Sequence, residues 1–462
     1  MNLSEIKTAY FLGIGGIGMS AIARYFNHVG IQVIGYDKTE TPLTKKLCEE
    51  GMHIHYVDDV NYVTSLSLVS ATTLVVLTPA IPKDHKEWAW FKENMFLIQK
   101  RSEVLGLLSK AYATIGVAGT HGKTTTSTMV AHILTSSAVK CNAFLGGISS
   151  NYQSNLLLHP AADTLPASQQ YTVVEADEFD RSFLTLHPIY SVITSTDADH
   201  LDIYGDHSSM QESFLAYANR LVEGGILFLK YGLNLANELS VNFKTYGIVL
   251  EAQIHAFNIR IKEAEHIFDL NVEGRIIKDL ELGIPGLHNI ENAVAASAVA
   301  LQAGVTEDEL RVALKSFRGV KRRFEYIIKE SNCIFIDDYA HHPEELRAIL
   351  SSVKRMYPNH ELVAAFQPHL FTRTRDFAEG FAETLSMVDN LFLLDIYPAR
   401  ELPIEGVSSG MLLENITSAK KQVIGKQELV QAITTLKPSL FLTLGAGDID
   451  ALVEPIKQGL LS

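Results

Sequence analysis

The feature that most constrains this chain is a repeated alternation of short apolar runs with amphipathic stretches. TAYFLGIG, IQVIGYD and TLVVLTPAIP mark its first part, YATIGVAG, YTVVEADE and YSVITSTD its middle, and CIFIDDYA, LVAAFQPH, NLFLLDIYP and LFLTLGAGD its last. Helical spacings such as MSAIARYFNHVG and STMVAHILTS lie between them. Strands parted by helices of about ten to fifteen residues cannot close as tight hairpins, so they cross over and pair in parallel. The expected fold is α/β in three domains. N-terminal and C-terminal Rossmann-like parallel sheets flank a central P-loop ATPase-like α/β domain. The expected boundaries are 1–108, 109–318 and 319–462. Shorter alternating runs between 243 and 283 suggest an antiparallel patch on the middle domain, and LLLHPAADTLPASQQ reads as an exposed loop.

Charge narrows the partners. The 462 residues hold 39 Lys and Arg against 53 Asp and Glu, a net charge of −14. Such a balance argues against nucleic acid or an anionic membrane surface, while leaving room for a local basic pocket. With 47% hydrophobic residues, disorder is excluded as the dominant state. Cys48, Cys141 and Cys333 are far apart and form no CxxC, which gives neither a disulfide framework nor a zinc site. The first residues lack a basic leader, and no apolar run approaches the ~20 residues of a membrane span. A cytoplasmic enzyme or binding protein is expected, as a monomer or a homodimer.

Two glycine-rich loops carry the clearest chemistry. Gly13, Gly15 and Gly18 form G-x-G-x-x-G between a strand and a helix, with Gly16, Ile17 and Met19 in the same turn. Glycines let backbone N–H groups approach a pyrophosphate, and the helix N-terminus adds positive partial charge. A nicotinamide or flavin cofactor, another nucleotide diphosphate and a ligand-free tight turn all fit this motif alone. Asp37 ends the second strand, where dinucleotide folds keep a ribose-binding acid. The second loop runs Gly119, Thr120, His121, Gly122, Lys123, Thr124, Thr125. It resembles a Walker A loop, except that Val117 stands where the full pattern has glycine. Lys123 suits β/γ phosphates and Thr124 suits Mg²⁺; the bland alternative is a glycine turn with a solvated lysine. A dehydrogenase has no use for a second, triphosphate-type loop, whereas a ligase needs it.

Acids and histidines gather at other strand ends. Glu175, Asp177 and Glu178 follow one strand, and Asp197, Asp199 and His200 the next; each cluster read alone is also compatible with a solvated acidic loop. Asn289 and Asn292 open an Ala-rich helix, where an amide offers adenine both donor and acceptor, or simply caps the helix. Asp338, Tyr339, His341 and His342 follow a third-domain strand, and His369, Arg373 and Arg375 another. Arginine suits bidentate capture of a carboxylate or phosphate. Lys321, Arg322 and Arg323 form a basic run at the domain junction, either phosphate-binding or an exposed linker.

Taken in order, GIGGIGMS, GTHGKTTT, EADE, DADHLD, GLHNIENAVAA, KRRFE, DDYAHHPEE, QPHLFTRTR, DIYPARE and GAGDI resemble the Mur ligases, the ATP-dependent amino-acid-adding enzymes of peptidoglycan synthesis. The resemblance spans essentially the whole chain. It implies ATP and Mg²⁺ as cofactors, with UDP-N-acetylmuramate and L-alanine as substrates. A murein tripeptide ligase acting on the same nucleotide sugar is the near alternative, and an NAD-dependent dehydrogenase the distant one. Gly13, Gly15, Gly16, Ile17, Gly18, Met19, Asp37 and Arg101 would hold the UDP-sugar. Gly119 through Thr125, with Asn289, Asn292, Arg323 and Asp338, would hold ATP. Thr124, Glu175 and His200 would bind metal. Tyr339, His342, His369 and Arg373 would line the amino-acid side. Lys123, His200, His341, His369 and Arg373 are the implied catalytic set. Two departures stand out: SSMQESFLAYANRL lacks the lysine that several relatives use as a carbamate metal ligand, and Leu370 stands where some relatives place a basic residue.

Overall fold

A computed structural model describes residues 5–161, 164–197, 204, 206–262, 265–399, 401–418 and 420–462. Three sheets are present among them. The first has strands β1 (Thr8–Leu12), β2 (Gln32–Tyr36), β3 (His53–His55), β4 (Thr73–Leu77) and β5 (Leu97–Lys100), in the order β3-β2-β1-β4-β5. Its pairs are parallel. The chain steps outward from β1 to β3, then returns to β4 on the other side. The crevice of such a sheet lies at that reversal, between β1 and β4, and the first glycine loop joins β1 to helix α1 (Ile17–His28) there.

The second sheet has the order β15-β14-β13-β12-β11-β10-β6-β9-β7-β8. Its central strands are β6 (Ala113–Ala118), β9 (Tyr171–Glu175) and β10 (Pro188–Ile193). Strand β6 pairs in parallel with both neighbours, with Val117 level with Glu175 and Ala118 level with Ile193. The loops after these three strands therefore leave the sheet side by side. Strand β7 (Asn142–Ser149) pairs antiparallel with β8 (Ser154–Leu157). Here the sequence expectation is corrected: Leu156 and Leu157, read as the start of an exposed loop, are buried in β8. Four residues are too few to show a strand's alternation, and their burial comes from other segments, strand β7 and helix α1. Strands β11 (Ile226–Lys230), β12 (Phe243–Gly247) and β13 (Ile254–Lys262) extend the sheet in parallel. Strands β14 (Glu265–Val272) and β15 (Arg275–Leu282) are joined by Glu273 and Gly274 alone, at φ 52° and 96°. Two positive-φ residues between adjacent strands make a type I′ hairpin, in keeping with the antiparallel patch expected there.

The third sheet comprises β16 (Glu325–Lys329), β17 (Ile334–Asp338), β18 (Val363–Phe366), β19 (Asn390–Leu393), β20 (Lys420–Val423) and β21 (Leu440–Leu444). Its order is β16-β17-β21-β18-β19-β20, parallel except at β16. Alternate residues feed two cores: Ile336, Ala364 and Leu442 face one side, and Phe335, Ala365 and Phe441 the other. Burial on both faces is why these strands read as continuous apolar runs.

The chain divides into two compact units. One holds residues 1–258, 269–280 and 291–317, and the other 259–268, 281–290 and 318–462. Within the first, a continuous apolar cluster runs from Phe11 and Phe26 to Phe144 and Phe214. A buried polar clasp adds direction. Asn155 donates to the Ile17 carbonyl at 2.6 Å and to Ser20 Oγ at 2.9 Å, and it accepts from Arg24. Arg24 in turn grips Glu50 through two hydrogen bonds of 2.7 and 2.9 Å. No helix among the described residues is long and apolar enough to cross a membrane. Asn155→Leu would strand these buried partners, so we expect it to cost about 1–3 kcal/mol. Urea denaturation would register the loss as a lower midpoint; an unchanged midpoint would refute the clasp's role.

Candidate active site

The first glycine loop is shaped by contacts that exclude side chains. Gly13 has φ 88°, and a Cβ there would lie 2.5 Å from Thr78 Cγ2. The amides of Gly13 and Ile14 both donate to the Tyr36 carbonyl, at 2.8 and 3.0 Å. Asp37 accepts from the Gly15 amide at 2.7 Å and from Thr39 at 3.2 Å, so its carboxylate fixes the loop. Helix α1 starts at Ile17 with no side chain capping its first amides. Met19, in its first turn, is buried. Arg101 opens helix α2 (Arg101–Ala111) and leans over the loop: a Cβ on Gly18 would meet its Nη1 at 2.8 Å. Gly16 is the exposed member of the turn.

The second loop is tighter still. Gly119 has φ 136°, and a Cβ there would lie 2.0 Å from Thr194 Oγ1. Thr194 hydrogen-bonds the carbonyls of Ala118, at 3.1 Å, and His121. Ser195 Oγ accepts from the His121 amide at 2.7 Å and meets Thr120 Oγ1 at 2.8 Å. The end of β10 thus buttresses the loop after β6. Gly122 is left-handed, at φ 81°, and caps helix α3 (Lys123–Ser136). Asn292 sits against it: its Oδ1 accepts from Thr126 at 3.1 Å and would be 2.9 Å from a Cβ on Gly122. Thr124 and Thr125 are buried in the first turn of α3.

The acids after β9 take different roles. Glu175 lies against Gly146 of β7, where a Cβ would meet its carboxylate at 2.2 Å. Asp177 accepts from Arg101 at 3.0 Å. Glu178, with a side chain only 1% exposed, pairs with Lys123 at 2.7 Å. Burial raises the Glu178 carboxyl to about 7 against the pull of Lys123. Burial opposes the Lys123 charge as well, but the surrounding carboxylates, Glu178 first, outweigh it and keep the ammonium protonated. Asp197 is 3.8 Å from His121 Nε2 and takes its own amide to Thr120 at 3.1 Å. Asp199 and His200 lie outside the described residues. Oxygen donors such as the Thr124 hydroxyl and the Glu175 carboxylate are of the type Mg²⁺ takes.

In the second unit Asp338, Leu444, Phe366 and Leu393 are level across β17, β21, β18 and β19. The four loops beyond them are neighbours for that reason. Asp338 accepts from the Phe324 and Ala340 amides, each at 2.7 Å, and burial lifts its carboxyl to about 6 against Arg323. Tyr339 lies under two guanidiniums, Arg322 at 5.2 Å and Arg323 at 5.1 Å. Arg322 also holds Asp337 at 3.2 Å and the Gly445 carbonyl at 2.6 Å. His341 Nδ1 reaches the Tyr339 carbonyl at 2.9 Å and Glu345 at 3.2 Å. Its ring stands 5.9 Å from that of His369, which stacks on Tyr397. Burial lowers the His341 proton affinity, Glu345 opposes that, and Arg373 adds to it. His342 caps helix α4 (Pro343–Met356), accepting from the Glu344 amide, and packs edge-on against Phe377. Arg375 turns away to Asp376 at 2.7 Å. Asn289 donates to the Pro285 carbonyl at 2.5 Å.

Several residues that build these sites carried no signal in the sequence. Thr194, Ser195 and Gly146 act through contacts with distant segments. Gly445 and Gly447 would drive a Cβ within 2.5 and 2.3 Å of Gln367, interlocking the loops after β21 and β18. That last pair lies in GAGDI, a motif legible in the sequence, but its contact with Gln367 is not.

Three domain descriptions match the chain in order: "Mur ligase family, catalytic domain" over residues 8–113, "Mur ligase middle domain" over 117–300, and "Mur ligase, glutamate ligase domain" over 322–447. The chain belongs to the Mur ligase family, whose members are ATP-dependent amide-forming ligases. It is 48% identical over 461 residues to the UDP-N-acetylmuramate–L-alanine ligase of Christiangramia forsetii, covering 100% of this chain and 99% of that one. It is 46% identical over 458 residues to the enzyme of that name from Flavobacterium johnsoniae, covering 99% of each. The crystal structure of UDP-N-acetylmuramate-alanine ligase from Thermotoga maritima matches with a TM-score of 0.82 at 27% identity, over 98% of both chains. Membership over the full length removes the dehydrogenase reading of the first glycine loop.

His341 gives a pH test. Burial holds its imidazole at about 4 instead of 6.5. The unfolded chain then takes up this proton first, so the residue's contribution to stability is complete above 6.5 and lost as pH falls toward 4. In histidine-labelled protein followed by NMR, the His341 ring should titrate near 4; a midpoint near 6.5 would contradict its burial. A second test uses Gly119→Ala. Its methyl cannot fit beside Thr194, and nucleotide binding measured by calorimetry should fall at least about tenfold.

Proposed function

We propose that this chain joins L-alanine to the lactyl carboxylate of UDP-N-acetylmuramate, consuming ATP and releasing ADP and phosphate in peptidoglycan precursor synthesis. One observation carries the reading: a triphosphate-type loop, Gly119–Thr124, stands beside the acids after β9 in a chain that matches alanine-adding relatives end to end.

The chemistry follows from what a carboxylate cannot do. Its carbonyl is unactivated and O²⁻ does not leave, so an amine cannot displace it at neutral pH. A carboxylate oxygen attacks the γ-phosphorus, the bond to the β-phosphate bridging oxygen breaks, and ADP departs. The resulting acyl phosphate has a good leaving group. The neutral alanine amine attacks its carbonyl carbon, a tetrahedral intermediate forms, and phosphate leaves with the former carboxylate oxygen.

In this reading the first glycine loop, with Arg101, holds the UDP diphosphate, and Asp37 keeps that loop in shape. Lys123 and the α3 amides take the ATP phosphates, where positioning and charge stabilisation supply most of the rate. Asn289 and Asn292 would serve the adenine side, and Arg323 and Asp338 the nucleotide. Thr124 and Glu175, with His200, would hold Mg²⁺, which when bound neutralises charge on the phosphates. Arg373 clamps the alanine carboxylate, with Tyr339, His342 and His369 around it. A base must take the ammonium proton. His341, His369 and His200 are the candidates. The reaction belongs in the cytoplasm, by a monomer or homodimer.

Phosphate release with UDP-N-acetylmuramate, ATP and Mg²⁺, offering each amino acid and the murein tripeptide in turn, tests this directly. L-Alanine should support turnover, and Lys123→Ala should reduce it by about 100-fold or more. Release that ignores the sugar or the amino acid would overturn the assignment.

A further inference from the structure

Lys123 is fully engaged by its own protein. An ammonium has three protons to donate. Here Nζ lies 2.8 Å from Glu178 Oε1 and 2.7 Å from Oε2, donates to the Gly119 carbonyl at 2.6 Å, and leans on the Thr120 carbonyl at 3.4 Å. A phosphate oxygen must displace one of these acceptors. Two of them belong to the loop itself and move only if the loop does. Glu178 is the remaining acceptor, and it comes from a separate segment.

That segment is pinned along its length. The Glu178 carbonyl accepts from the Tyr204 hydroxyl at 2.6 Å and from the Arg181 amide at 2.9 Å. Asp177 is held by Arg101 at 3.0 Å, and Asp180 by Lys100 at 3.1 Å. The carboxylate is therefore held in place beside the phosphate loop, paired with the Lys123 ammonium at 2.7 Å and shielded from water that would screen the pair. It both occupies the lysine and repels a polyphosphate.

We infer that Glu178 is a positioning residue that holds the Lys123 ammonium against the loop and yields it to polyphosphate oxygens, so that it sets the affinity for ATP. The inference rests on the reading of Gly119–Thr124 as an ATP loop. Glu178→Gln keeps the shape and removes the competing charge. Its Kd for ATP, measured by calorimetry in the full-length protein without the sugar, should fall about 3- to 10-fold. Glu178→Asp, which restores the charge, should return the Kd to within about twofold of wild type. A residue needed only for folding would instead lower the thermal midpoint and leave ATP binding unchanged or weaker.

Unchanged or weaker ATP binding by a folded Glu178→Gln protein overturns the inference. Should that variant not fold, a crystal structure of the wild-type protein with a non-hydrolysable ATP analogue and Mg²⁺ decides. Nζ should then have given at least one Glu178 contact to a phosphate oxygen; retention of both contacts overturns it. Failure of the wild-type protein to bind ATP at all would instead refute the ATP-loop reading.

Discussion

The close approach of Gly119 to Thr194 is the constraint on which the first unit's chemistry depends. At φ 136°, with no room for a methyl beside the Thr194 hydroxyl, the backbone turns off β6 sharply enough to aim the α3 amides past the sheet edge. The turn holds because β6 is flanked by β9 and β10 in fixed parallel register. Thr194 and Ser195 then bond the loop from one side, while Glu175 and Glu178 stand on the other. Sheet topology, a property of the whole domain, is thus what sets the position of Lys123.

An acidic protein that handles anions must concentrate its cations, and this one does so by pairing them. Arg101 leans over the first glycine loop with Asp177 behind it, and Lys123 rests on Glu178. In the second unit Arg322 is held by Asp337, and Arg323 approaches Glu345. Each pairing limits the desolvation cost of a charge kept largely out of water. It also gives each cation a defined place in the folded chain. The net charge of −14 and the local basic groups are therefore two aspects of one arrangement.

Much of this was legible in the sequence because it is local. A glycine before a helix, an acid at a strand end and a Pro after a histidine each act within a few residues. The β6 loop, the β1 loop and the strand ends carrying Asp338 and Gln367 could be read for that reason. What could not be read is tertiary. Strand β8 is too short to declare itself. Gly146 matters only because Glu175 arrives from another strand, and Gly447 only because Gln367 does. Asn289 and His342 have obvious chemistry, yet Asn289 bonds a nearby carbonyl, and His342 caps a helix amide and packs on Phe377. Arg322, one member of a basic run, ties β17 to the loop after β21. Sequence spacing alone could not separate it from Arg323.

The central claim is that the ATP γ-phosphoryl group activates the sugar-borne acid before the amine attacks. Isotope transfer tests this most directly. UDP-N-acetylmuramate labelled with ¹⁸O in the lactyl carboxylate would be turned over with ATP and L-alanine, and the released phosphate analysed by mass spectrometry. The mechanism requires one labelled oxygen to leave in each phosphate. Unlabelled phosphate, formed alongside the alanyl product, would show that the carboxylate never bonded to phosphorus and would contradict the account.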